Sequence, residues 1–67
     1  MTLKSLIEKE FGSVSKFVKI SGLNKGMTYA ILGGKVVAGS GWRIRTGLML
    51  GVDIKRFFDD RGFVKEV

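Results

Sequence analysis

Residues 13–35, SVSKFVKISGLNKGMTYAILGGK, restrict the folds open to this chain more than any other stretch. Ser13 is a residue type that caps a helix N-terminus, and Val14, Phe17, Val18 and Ser21 follow at helical spacing on one face. Lys16 and Lys19 fall on the opposite face. Gly22 ends this helix, since a residue without Cβ enters the left-handed conformation free of a steric clash. Leu23 is expected as a buried plug. Asn24 then caps a second helix over residues 25–32, closed by Gly33 and Gly34. Helix, glycine turn, apolar plug, polar cap and helix is the order of a helix-turn-helix unit, here spanning 13–33.

The flanking residues read as helical scaffold. Thr2 caps a first helix running to about Phe11, with Leu3, Leu6, Ile7 and Phe11 on its inner face and Lys4, Glu8 and Lys9 outside. Gly12 breaks it. Residues 33–41, GGKVVAGSG, form a loop, and Ser40 is expected to cap a fourth helix over 41–50. That helix is apolar on two sides, Ile44 and Leu48 on one, Trp42 and Met49 on the other. It therefore either fills the centre of the core or meets a partner chain. Gly51 ends it, and Asp53 caps a short fifth helix carrying Phe57 and Phe58. Residues 59–62 signal a turn. Residues 63–67 are too short for a strand that stands alone. This tail, 59–67, either frays or pairs with its copy in a dimer. The expected fold is a single all-α domain over 1–67, a five-helix bundle with a short C-terminal strand as an option.

Charge indicates the class of partner. The chain of 67 residues carries a net charge of +6. Its six acids, Glu8, Glu10, Asp53, Asp59, Asp60 and Glu66, all lie outside residues 11–52. Inside that window are Lys16, Lys19, Lys25, Lys35, Arg43 and Arg45, whereas the flanking charges cancel. A polyanion is the natural partner of such a block, because phosphate contacts release condensed counterions. There is no cysteine or histidine, and acids and bases are segregated along the chain, so no enzyme, metal site or cofactor is expected. No apolar run is long enough for a bilayer and no signal peptide is visible, which makes the cytoplasm the expected location. A chain this short buries only about 60% of its unfolded surface, so self-association would help it.

The segment FVKISGLNKGMTYAILGGK resembles the DNA-binding domains of the Cro and lambda-repressor type. Phe17-Val18, Gly22-Leu23-Asn24 and Gly34-Lys35 occupy the family's pattern positions. LGVDIKRFF, residues 50–58, resembles its closing segment, so the likeness covers about 3–58. Val18 is larger than the alanine usual at its position, and Gly33 replaces a polar residue. The resemblance implies a lambda-repressor-like bundle acting as a sequence-specific regulator of transcription on double-stranded DNA. Small repressors of phages and mobile elements are of this kind, blocking polymerase as homodimers on a palindromic operator.

Thr28 and Ile31 fall in the core of that family, which leaves Lys25, Gly26, Tyr29 and Ala30 as the candidates for base reading. A second register, with Met27, Ala30 and Ile31 inward and Tyr29 half-buried, is also compatible with the periodicity. Candidate phosphate contacts are Ser13, Ser15, Lys16, Asn24, Lys35, Arg43 and Arg45. Candidate dimer contacts are Trp42, Met49, Phe57, Phe58 and Phe63. Neither a small-molecule ligand nor a membrane is expected as partner. Two rival functions share parts of this pattern. A non-specific architectural binder would use the charge block alone. An antirepressor would use Trp42, Met49, Phe57 and Phe58 to cap another regulator.

Overall fold

A computed structural model describes residues 1–66 of the chain as an all-helical fold. Four α-helices, α1 (Leu3–Phe11), α2 (Val14–Ser21), α3 (Lys25–Leu32) and α4 (Ser40–Leu50), are followed by one 3-10 turn, Ile54–Phe57. The first three begin on side-chain caps. Thr2 Oγ1 accepts from Ser5 N at 3.0 Å while Ser5 Oγ accepts from Thr2 N at 3.1 Å, a reciprocal box. Ser13 Oγ accepts from Lys16 N at 3.1 Å, and Asn24 Oδ1 from Met27 N at 2.8 Å. α2 ends at Gly22, whose φ of 73° and ψ of 11° are left-handed.

Two boundaries differ from expectation. α4 starts one residue early, with Ser40 already helical and Gly39 as its N-cap, so no side chain caps this end. The helical ladder begins at Gly39 itself, whose carbonyl accepts from Arg43 N at 3.0 Å. The expected fifth α-helix is only the 3-10 turn. Asp53 does cap it, its Oδ1 accepting from Lys55 N at 3.2 Å.

The core draws on every helix. Leu3 and Ile7 of α1, Val14 and Phe17 of α2, and Ile31 and Leu32 of α3 are buried together with Ala38, Trp42, Phe58 and Val64. Phe11 and Phe17 tilt against each other with ring centroids 5.2 Å apart. Trp42 is the central piece. Its Nε1 donates to Thr28 Oγ1 at 3.0 Å inside the core, and its ring meets Phe58 edge-on at 6.2 Å.

These positions correct the expected dimer surface. Trp42 and Phe58 lie inside the protomer, and Met49 and Phe57 pack partly buried against the same core. Of the two apolar sides of α4, the Trp42 side faces in and the Ile44–Leu48 side faces solvent. The tail is likewise accounted for within its own chain. Phe58 and Val64 form an isolated antiparallel bridge, Lys65 N donates to Phe57 O at 2.8 Å, and Asp59 N donates to Phe63 O at 2.8 Å. Ala38 N donates to Gly62 O at 3.0 Å, tying the tail to the loop before α4, and Arg61 lies over the half-buried Phe63 ring. Val64 enters the core, so through Lys65 the tail is held against its own chain. Val67, the end of the expected strand, lies outside the described residues. Among the described residues no helix is long and apolar enough to cross a membrane.

Two substitutions test this architecture by thermal or denaturant unfolding. Gly22→Val should cost about 1–3 kcal/mol through the backbone alone. A Cβ at that site meets no other atom within 4 Å, so the cost arises from the backbone rather than from a clash at Cβ. Trp42→Ala should cost about 3–5 kcal/mol, a large part of the stability of so small a domain. A melting curve unchanged by Trp42→Ala would return this residue to a surface role.

Candidate nucleic-acid interface

α3 has one buried and one open face. Thr28, Ile31 and Leu32 point inward, whereas Lys25, Gly26, Met27 and Tyr29 are exposed and Ala30 is half-buried. Met27 is 49% exposed, which excludes the register that would turn it into the core. Met27 thus joins the outward edge, a position the sequence reading had not assigned to it. The helix is closed by a paired-bond motif around Gly34, at φ 74°. Lys35 N donates to Ala30 O at 2.9 Å and Gly34 N to Ile31 O at 3.1 Å, leaving Lys35 exposed just past the end.

The start of α2 adjoins this face. Ser15 Oγ and Tyr29 OH lie 3.2 Å apart, both on exposed residues, with either hydroxyl able to donate. The contact sets the tyrosine hydroxyl against the first turn of α2, where the N–H groups of Val14 and Ser15 fall outside the helical ladder. Lys16 folds its chain over Gly12, its Nζ 3.5 Å from where a Cβ would stand. Ser13 and Asn24 use their side-chain oxygens as caps, so any ligand would meet the N–H ends of these helices beside groups already engaged. Gly26 has room beside it, since a Cβ there would find only Asn24 Oδ1, at 3.5 Å.

One basic residue was missed. Lys4 of α1 lines a shallow groove with Tyr29, Leu32 and Gly33, which puts it beside α3. It is 25 positions from Tyr29 and sits in a segment whose charges cancel, so no local pattern marks it.

The two arginines of the acid-free window are placed differently from the expectation. Arg45 Nη1 donates to Ser21 O at 3.1 Å and so engages the C-terminal end of α2. Arg43 is half-buried, its Nε enclosed without a hydrogen-bond partner among the described residues, and it lines a groove with Ile54 and Lys55. Arg45 is accordingly a brace between α4 and α2, and Arg43 lies toward the 3-10 turn. Neither is grouped with Ser15, Lys16 and Tyr29.

The assembled surface is thus α3's outer edge, the first turn of α2 and Lys4, with Lys35 at the end of α3. Such an arrangement can present positive charge, two hydroxyls and a helix edge of small residues to an extended anionic partner. Comparison with models of protein families, with curated proteins and with solved structures found no match to this chain.

The division between bracing and free cations is measurable without any ligand. Arg45→Met should lower stability by about 1 kcal/mol, because it leaves the Ser21 carbonyl short of a donor. Lys25→Met, at an exposed position, should stay within about 0.5 kcal/mol of the parent. Equal effects in chemical unfolding would contradict the assignment of Arg45.

Proposed function

We propose that this protein is a sequence-specific regulator of transcription that binds double-stranded DNA in the cytoplasm, a small repressor of the Cro type. The observation that carries the reading is the open face shared by α3 and the start of α2, joined at Ser15 and Tyr29 within an acid-free window. In this reading α2 and α3 act as a helix-turn-helix unit, with α3 lying in the major groove. Lys25 and Tyr29 reach base edges or adjacent phosphates, and Gly26 and Ala30 let the helix approach closely. Met27 offers an apolar edge to a thymine methyl. The first turn of α2, with Lys16, Lys35 and Lys4, meets the phosphate backbone.

Two copies would occupy an inverted repeat with half-sites about 34 Å apart and exclude polymerase by bulk. The role requires no catalysis, cofactor or small-molecule ligand. The antirepressor alternative is weakened by the burial of Trp42 and Phe58, which it would need at the surface.

Selection from random duplexes should enrich one inverted repeat, and binding to it should weaken linearly in a log–log salt plot by about 0.9 per phosphate neutralised. Lys35→Ala should flatten that slope by about one unit and leave the preferred sequence unchanged. Gly26→Leu is the sharper test. It should fold at least as well, leucine gaining up to about 1 kcal/mol of helix propensity over glycine, yet bind the selected site poorly. Normal binding by Gly26→Leu would take α3 out of the groove, and salt-independent binding would remove the phosphate role altogether.

A further inference from the structure

We infer that the outward face of α4 docks an acidic, amphipathic segment of another protein, a short helix whose apolar side chains are flanked by aspartate or glutamate. Ile44 and Leu48 stand one helical turn apart and are 61% and 79% exposed, so together they form an apolar ridge. A single exposed leucine needs no explanation, but here a shallow groove borders the ridge on each side. On one side Ile44 and Leu48 meet Met49 and Gly41. On the other the 3-10 turn closes in, and Val52 and Ile54 form the far wall. Gly47 makes that approach possible, since a Cβ there would stand only 3.2 Å from Ile54 Cβ. A ridge between two grooves suits a partner whose apolar side chains recur at helical spacing and straddle it.

Charge selects among the partners such a face could take. Arg45 lines the first groove, and Arg43 and Lys55 line the second, against a single acid, Asp53. Arg45 and Lys55 are exposed, whereas Asp53 already uses Oδ1 as the cap of the 3-10 turn. An excess of cations around an apolar ridge is complementary to a segment of the opposite make-up, apolar in the middle and acidic at its edges. A second copy of this chain would bring the same excess of cations and leave it unneutralised. A phosphate backbone would neutralise the cations but leave Ile44 and Leu48 against charge and water. A bilayer surface calls for a broad apolar face, and α4 exposes only these two large apolar residues, its Trp42 side being in the core. The face shares no residue with the α3 surface, so the inference stands apart from the DNA reading.

The test is a selection of displayed random peptides of about 16 residues, roughly 24 Å when helical, on the immobilised full chain without DNA. Enriched peptides should carry two or three apolar residues at helical spacing among aspartates and glutamates. The most enriched one, synthesised, should bind with a Kd of about 10–100 μM, as fits a small transient contact. Leu48→Glu should weaken that binding at least about tenfold while keeping the parent's melting temperature, since the side chain is exposed. Lys55→Glu leaves the ridge intact and should weaken binding by roughly three- to tenfold, the loss shrinking as salt rises. Lys25→Glu, on α3, should bind the peptide as the parent does. An absence of enrichment, enriched peptides without acids, binding that survives Leu48→Glu, or binding that Lys25→Glu removes would each overturn the proposal. Two further results would overturn it by assigning the ridge elsewhere. Adsorption to phosphatidylserine vesicles, tighter than peptide binding and lost in Leu48→Glu, would make it a membrane contact. Self-association of the parent at the peptide concentrations used, lost in Leu48→Glu, would give it to a second copy.

Discussion

The buried hydrogen bond from Trp42 Nε1 to Thr28 Oγ1 sets the orientation on which the rest of the molecule depends. Inside a core, an indole N–H or a hydroxyl without a partner is costly, so the two groups hold each other in place. Thr28 is fully buried and therefore fixes the rotation of α3 about its axis. With Thr28 turned in, Lys25, Gly26 and Tyr29 have to turn out. The same indole meets Phe58, so the tail's place in the core and the direction of α3's open face share one anchor. A smaller side chain at position 42 would lose the donor and the ring together.

Features encoded by near neighbours were legible in the sequence. The caps at Thr2, Ser13 and Asn24 each bond a backbone N–H three residues on, and the Gly22 turn is the property of one residue. The burial of Thr28, Ile31 and Leu32 was less secure, because α3 carries apolar residues on more than one side. Periodicity allowed Met27 to face inward. The bond to Trp42, 14 residues away, is what holds Thr28 inward and Met27 out.

Features set by distant partners were not legible. Trp42 with Met49 and Ile44 with Leu48 are equally apolar sides of α4, and hydropathy alone does not say which faces in. The larger ring went inside, where it reaches both Thr28 and Phe58. Arg45 looks like any free cation until α2 places the Ser21 carbonyl 3.1 Å from its guanidinium. The tail was ambiguous for a related reason. A segment of a few residues has no stable strand of its own, and its bridge to Phe58 comes together with the Ala38–Gly62 bond and the burial of Val64. Ser40 is the local exception, a good capping residue that the chain places inside the helix instead.

The window without acids divides its cations by type. Arg43 is half-buried and Arg45, though exposed, donates to the Ser21 carbonyl, whereas Lys16, Lys19, Lys25 and Lys35 are exposed. Chemistry favours this division, since a planar, weakly hydrated guanidinium tolerates partial burial better than a compact ammonium does. It also bears on recognition. Lysine acts on a phosphate as a mobile point charge, supplying salt-sensitive affinity, and lacks the rigid fork with which arginine grips a guanine edge. With its arginines engaged elsewhere, a DNA-reading face built on α3 would take little of its specificity from guanidinium contacts. Selectivity would then rest on shape: the Tyr29 ring held by Ser15, the Met27 side chain, and the shallow edge of Gly26 and Ala30. Such a face discriminates by thymine methyls and closeness of fit, and would favour a site rich in A·T pairs where α3 lies.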